Sequence, residues 1–298
     1  MAEKVHYTRV LFVINPKSGN RKEKDLTHLI AAQAKKSRFN FKLYPMQGED
    51  EANIKKDIEE FKPEIIAAAG GDGTINFLAG ILKETKITLL IIPFGSANGM
   101  AKELGIGNSI EFAISLLENG VEKPIDLLTI NGKTCIHLAD VGLNARIVKR
   151  FEADPNRGVR TYAKHLLAEM FLLKTYTFKI KCDDSEFIRK AVSLTFANAS
   201  KYGTGAVINP EGIIDDGQFE LVIIKPFPRI KLLSIAWKMF MNKLHTSDYV
   251  EIVKCSKAKV TSRRKTTLQI DGEVIGKVQE INVEILPKAL KILVPEKV

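Results

Sequence analysis

Cysteine is scarce in this chain of 298 residues, and nothing in the pattern puts it to use. Cys135, Cys182 and Cys255 lie far apart without a CxxC pair, and five scattered histidines form no HExxH. Neither a disulfide framework nor a zinc centre is expected; the three cysteines read as ordinary thiols. Long apolar runs are missing too. None approaches the roughly 18 residues of a membrane span, and the charged Met1 to Arg9 leads into a VLFVI too short for a signal-peptide core. The chain therefore reads as cytoplasmic. It also lacks GxxxxGK(S/T), a GxGxxG after a strand, and any VAIK, HRD or DFG set, which disfavours P-loop enzymes, Rossmann dehydrogenases and protein kinases. Acidic residues are outnumbered, 35 against 45 Lys and Arg, for a formal net charge of +10. That balance suits nucleic acid, anionic lipid or nucleotide without choosing among them. No RNP-like or helix-turn-helix signature accompanies it, so nucleic acid is not an expected partner.

What is present is a soluble, globular composition, 45% hydrophobic and 27% charged, in a length that suits one large or two medium domains. Up to Asp126 the chain alternates. RVLFVIN, FNFKLYPM, EIIAAAG and ITLLIIPF read as nearly continuous apolar strands, and a stretch reaching residue 37, EDEANIKKDIEEF and TINFLAGILKE read as helices between them. This order predicts an α/β domain over residues 1–126 with a parallel sheet covered on both faces. Ligands of such sheets sit beyond the carboxyl ends of the strands, where the loops NPKSGN, GGDGT and PFGSANG all fall.

Over residues 127–287 many short alternating segments follow, with hairpin signals at Asn131-Gly132 and Asp271-Gly272. This half reads as mostly antiparallel β, a sandwich or open barrel. Two helical stretches interrupt it, TYAKHLLAEMFLLK and IKLLSIAWKMFMNKLH.

The densest chemistry is AAAGGDGTINFLAG, residues 67–80. Its glycines permit positive φ and close backbone approach, so successive N–H groups and a helix N-terminus are aimed at a phosphate. Asp72 would repel that phosphate unless Mg²⁺, bridged through water, intervenes. The plainer alternative is a glycine-rich turn with Asp72 as a helix cap.

A GGDGT loop is shared by diacylglycerol-type lipid kinases, NAD kinases and 6-phosphofructokinases. NPKSG (Asn15 to Gly19), GGDGT (Gly70 to Thr74) and PFGSANGMAKEL (Pro93 to Leu104) together resemble the first domain of the diacylglycerol kinase, sphingosine kinase and bacterial lipid kinase family. ANASKYGTGAVINPEGIIDDGQFEL (Ala197 to Leu221) and QIDGEV are similar to later segments of the same family, so the resemblance runs over nearly the whole chain.

It implies an ATP-dependent, Mg²⁺-using kinase acting on a hydroxyl of a membrane lipid, diacylglycerol-like or sphingoid-like, with ATP in the cleft between the domains. The alternatives are a soluble-metabolite kinase of the NAD kinase type and a weakly catalytic, nucleotide-dependent lipid-binding protein. The resemblance further implies that Gly70, Gly71, Asp72, Gly73, Thr74, Ile75, Asn76 and Ser96 hold the phosphates, with Asn98 in the same set. Asn15 and Ser18 would shape the pocket, and Asp72 and Asp126 would join a magnesium and water network. Glu273 matches the general base, against a plain reading as a solvated hairpin residue. Asp216, with the carbonyls of Ile213 and Gln218, matches a structural Mg²⁺ site; an exposed turn, or Asp215 as the ligand, are the alternatives. The chain end, residues 288–298 with the final LKILVPEKV, is expected to return to the first domain.

The chain departs from the family pattern in places. Gly99 stands where many bacterial members carry Asp after the Asn of GTxND, with Glu103 one helical turn on as a partial substitute. Tyr44 replaces a nucleotide-contacting Thr, and Asn144 the Asp of GFDA. A lipid kinase without membrane spans meets its substrate at an interface, so the expected partners are the lipid and an anionic membrane surface, with peripheral binding at the inner face; a homodimer is left open. Arg229 to His245 reads either as a helix packed on the second domain or as a membrane-contact helix anchored by Trp237. Arg146, Lys149, Arg150, Arg157, Arg160 and Lys164 read as facing anionic headgroups or as a solvated surface.

Overall fold

A computed structural model describes residues 7–16, 18, 23–48, 50–95, 97–143, 145–147, 164, 173–202 and 206–296. The chain divides into two compact units, Met1–Ile125 with Lys288–Val298, and Asp126–Pro287.

The first unit is built on β1 (Arg9–Ile14), β2 (Asn40–Pro45), β3 (Ile65–Gly70) and β4 (Thr88–Pro93). They pair parallel in the order β2, β1, β3, β4. Every residue of β3 and β4 is buried, which is why these strands read as unbroken apolar runs. Between the strands run α1 (Glu23–Ser37), α2 (Glu51–Phe61) and α3 (Asp72–Leu82), followed by α4 (Gly99–Glu103) and α5 (Ile110–Asn119). Local chemistry sets the ends: Asp50 accepts from the Asn53 N–H to cap α2, Lys62 closes it in the left-handed region, and Ser109 caps α5 through the Phe112 N–H. α3 begins two residues before the TINF start expected from sequence, because Asp72 and Gly73 already adopt helical geometry after Gly71.

The second unit contains the second half of β5 (Val121–Ile130), then β6 (Lys133–Cys135), β7 (Leu138–Gly142), β8 (Tyr176–Cys182), β9 (Ser185–Ala191), β10 (Ser193–Ala197), β11 (Phe219–Ile224), α6 (Leu232–Phe240), β12 (Val250–Cys255), β13 (Lys257–Ile270) and the greater part of β14 (Glu273–Val294). It is a mostly antiparallel β-sandwich. One run is β12, β11, β10, β7 and the end of β13; the other joins β9 and β8 to the beginning of β13. The register of β13 against β14 shifts between Thr261 and Thr266 and again at Leu268, and these irregularities let one strand serve both runs. Phe178, Phe196, Phe219, Leu221 and Val260 fill the space between.

Two expectations about this unit need correction. KAKVTS, TLQIDGEV and QEINVEIL are not separate short strands but parts of β13 and β14, 14 and 22 residues long. Bulges break the alternation that a continuous strand would display. Cys182 and Cys255 are not separate thiols: they are disulfide-bonded with Cα atoms 5.7 Å apart, brought together at the ends of β8 and β12 across a separation of 73 residues that sequence spacing could not reveal. Only Cys135 is free, and it is buried. The helix expected over TYAKHLLAEMFLLK, together with Asn144, Lys149, Arg150, Arg157 and Arg160, lies outside the described residues apart from Lys164, Lys174 and Leu173.

Candidate active site

In the first unit, β1, β3 and β4 end side by side, and the loops that leave them are tied to one another. The Asn15 N–H donates to the Ala69 carbonyl at 2.9 Å, and the Phe94 N–H to the Gly70 carbonyl at 3.1 Å. Asn15 Nδ2 donates to Thr74 Oγ1 at 2.9 Å, joining the loop after β1 to the first turn of α3. Ser18 follows through its N–H to the Asn15 carbonyl.

Two glycines make the crossing possible. A Cβ on Gly95 would lie 2.5 Å from the Gly71 Cα, and one on Gly70 would lie 2.4 Å from Thr74 Cβ. Neither position tolerates a side chain without moving backbone or the helix start. Asn98, 5% exposed and left-handed at φ 52°, clamps its own loop by accepting from the Gly95 N–H and donating to the Gly95 carbonyl, both at 2.9 Å.

Contrary to the capping reading, Asp72 is not the cap of its own helix. One carboxylate oxygen accepts from the Gly99 N–H at 2.9 Å and the other from the Met100 N–H at 3.1 Å, so it caps α4. The positive end of α4 offsets its charge. The first helical bond of α3 runs from the Ile75 N–H to the Gly71 carbonyl. Gly71 offers no side-chain cap, so the N–H groups of the first turn have no partner within the helix, the arrangement that receives anions. Ile75 is buried, and Asn76 carries a buried Oδ1 without a hydrogen-bond partner. Ser96 lies outside the described residues. Tyr44 donates to Asp50 at 3.2 Å, beside the cap of α2.

In the second unit, Asp271 and Gly272 form a two-residue turn with φ of 48° and 90°, and Glu273 follows, exposed, at the first position of β14. The turn is held from both sides. The Asp271 carboxylate accepts from the backbone N–H groups of Ile136, His137 and Leu138 at 2.8, 2.9 and 3.0 Å, and from the Cys135 thiol at 3.3 Å. Burial raises its pKa, outweighing the lowering by His137 and the three N–H donors. The same burial, with Asp271 alongside, pushes the Cys135 thiol well up. On the other side the Gly272 N–H donates to Gln269 Oε1 at 2.7 Å, and Gln269 Nε2 donates to Asp140. Asp140 is fully buried and also accepts from Thr195 and from Tyr202 at 2.8 Å.

Asp126, fully buried, accepts from the Gly217 N–H at 2.6 Å and donates its own N–H to the Ile214 carbonyl, fixing the IDDGQ loop. In that loop Ile213 is half exposed, and Asp216 accepts from the Gln218 N–H at 3.0 Å. The positive charge beside Asp216 is the Lys254 ammonium, 3.5 Å away and equally 3.5 Å from the buried Glu220. Among the described residues no group of three or more His, Cys, Asp or Glu is arranged to hold a metal.

Residues 9–130 match the family model described as the diacylglycerol kinase catalytic domain, and residues 138–294 match the YegS C-terminal NAD kinase beta sandwich-like domain. The chain belongs to the diacylglycerol kinase and YegS-like lipid kinase family. A relative named "Probable lipid kinase YegS-like" from Klebsiella pneumoniae (strain 342) is 31% identical over 237 residues, 78% of each chain. Another of that name, from Citrobacter koseri (strain ATCC BAA-895 / CDC 4225-83 / SGSC4696), is 30% identical over 241 residues, again 78% of each. The crystal structure of a diacylglycerol kinase from Bacillus anthracis str. Sterne shares the fold at a TM-score of 0.79, with 19% identity and coverage of 98% of this chain and 99% of that one.

Within this family frame, the first-unit residues singled out from sequence come together: Asn15, Gly70, Gly71, Asp72, Thr74 and Asn98 form one bonded set. Asp126 belongs to the second unit, where it is bonded to the loop at residues 214–217. Sequence reasoning missed Gly95, Asp140, Gln269 and the carboxylate of Asp271. A signal existed for Asp140, a lone acid inside the otherwise apolar LADVG. Asp271 was hidden by its own turn motif, which accounts for the residue without asking where its carboxylate goes.

Proposed function

We propose that the protein is an ATP-dependent lipid kinase that transfers the γ-phosphate to a hydroxyl of a membrane lipid, diacylglycerol-like or sphingoid-like. The observation that carries this reading is the glycine junction at the start of α3, where backbone N–H groups are left for a phosphate and no side chain fits at Gly70 or at Gly95. The family membership supplies the acceptor class.

MgATP, when bound, supplies the phosphoryl group and the metal that neutralises its charge. Nucleotide holding falls to the first unit. The N–H groups of the α3 first turn bind phosphate oxygens, Asn15 and Asn98 fix the loops that present them, and the orphan Asn76 Oδ1 accepts one further donor. Asp72 keeps these loops joined, and each of its oxygens retains acceptor capacity beyond the backbone N–H it holds. Proton acceptance falls to Glu273, whose turn is held on both sides. A structural Mg²⁺ at Ile213, Asp216 and Gln218 is left out of the proposal, because Lys254 already supplies positive charge there.

The test is transfer of label from γ-labelled ATP, with Mg²⁺, into mixed micelles of a total lipid extract, with NAD and other soluble hydroxyl compounds as parallel acceptors. Label in a lipid is expected, and the labelled species identifies the acceptor. Label only in a soluble acceptor, or ATP binding without any transfer, overturns the reading.

A further inference from the structure

The segment from Pro228 to Ser247 carries Arg229, Lys231, Lys238 and Lys243 and not one carboxylate. Its central element, α6, has two apolar faces. Leu232 and Ile235 are 4% exposed, Leu244 beyond the helix is fully buried, and Ile235, Leu244 and Met239 pack with Ile208, Val222 and Ile224 of the same unit. Ile230, Trp237, Phe240 and Met241 do the opposite: they are 83%, 65%, 51% and 46% exposed. Trp237, Phe240 and Met241 stand three and four residues apart at the end of α6, the spacing of one helical face, and Ile230 is exposed in the 3₁₀ turn Arg229–Lys231 that leads into the helix. The face that packs is accounted for by folding; the other is not.

We propose that this exposed face is a docking surface for an anionic lipid bilayer, with Trp237 and its apolar neighbours entering the headgroup boundary and the flanking cations on lipid phosphates. A second copy of the chain fits poorly, since a two-fold contact here would bring eight cations together with no carboxylate from the segment to offset them. Nucleic acid would satisfy the cations but leave four large apolar side chains against phosphate. An anionic membrane answers both the apolar stripe and the charge. Contact is peripheral: among the described residues no helix is long and apolar enough to cross a membrane. The choice of a lipid surface rests on the lipid kinase reading, but the surface itself is tested without ATP.

Trp237 is the only tryptophan in the chain, so its emission reports this face alone. The full chain is titrated with phosphatidylcholine vesicles and with phosphatidylcholine–phosphatidylglycerol vesicles. The emission maximum shifts to shorter wavelength with the anionic vesicles, and the shift shrinks as salt is added. Lys231→Gln with Lys243→Gln, both exposed, lowers the partition coefficient by about 30-fold at low salt. Ile230→Ser with Phe240→Ser lowers it further at an unchanged melting temperature. Failure to co-sediment with anionic vesicles overturns the proposal, as does co-sedimentation with unmoved Trp237 emission. A concentration-dependent shift in vesicle-free buffer overturns it in favour of self-association. Vesicle binding that persists in a protein unable to phosphorylate any lipid sinks the kinase reading and leaves this one standing.

Discussion

At the scale of single residues, carboxylates in this protein do structural work that a motif reading assigns to chemistry. Asp72 sits in the GGDGT loop, yet its oxygens are held by Gly99 and Met100. Asp72→Ala should therefore cost stability as well as turnover, about 1–3 kcal/mol in urea denaturation, because two backbone donors lose their acceptor. Asp271→Ala strands three backbone N–H groups and should cost about 3 kcal/mol or more in the same measurement. Glu122 gives a pH signature. Burial pushes its carboxyl up, but the Thr88 hydroxyl at 2.6 Å, Lys291 at 3.1 Å and Tyr7 outweigh burial and hold it below its ordinary 4.5. A carboxylate lowered in the folded state stabilises fully above its unfolded pKa and loses that contribution as pH falls through the folded one. Urea midpoints followed downward from neutral pH should decline below about pH 5, and Glu122→Gln should flatten that decline.

At the scale of elements, the end of β14 and its opening hairpin matter most. Residues 288–294 of this strand belong to the first unit, where Lys291 and Ile292 pair parallel with Thr88 and Leu89 of β4 and the Glu84 N–H donates to the Ala289 carbonyl. Leu293 is fully buried there, so Leu293→Ala should lower stability by about 2–5 kcal/mol. At the other end, Gly272 has φ of 90°, and a Cβ placed on it would meet no atom within 4 Å, so Gly272→Ala is strained by backbone alone. It should cost about 1 kcal/mol while disturbing the lipid transfer rate more than nucleotide affinity. The elements of the first unit were legible because continuous apolar strands and capped helices write themselves in short windows. Those of the second were less so: the bulges in β13 hide a long strand, and the Cys182–Cys255 bond depends on pairing that only the folded sandwich brings about.

For the whole molecule, five motifs in order made the family legible in the sequence, and the glycine loops marked the end of the first-unit sheet where β1, β3 and β4 are tied together. What stayed hidden was the support: Gly95 against Gly71, and Asp140 against Gln269, are contacts between residues distant in sequence, with no local pattern to announce them. The net charge is +10, and the segment around α6 carries four cations and no carboxylate. The central claim is that nucleotide holding and proton acceptance are carried by different units, and the direct measurement is Glu273→Gln assayed for both ATP affinity and lipid phosphorylation. ATP affinity unchanged, with transfer lowered by about 100-fold or more, is the predicted result. Transfer at the wild-type rate, or a loss of ATP affinity equal to the loss of transfer, would contradict it.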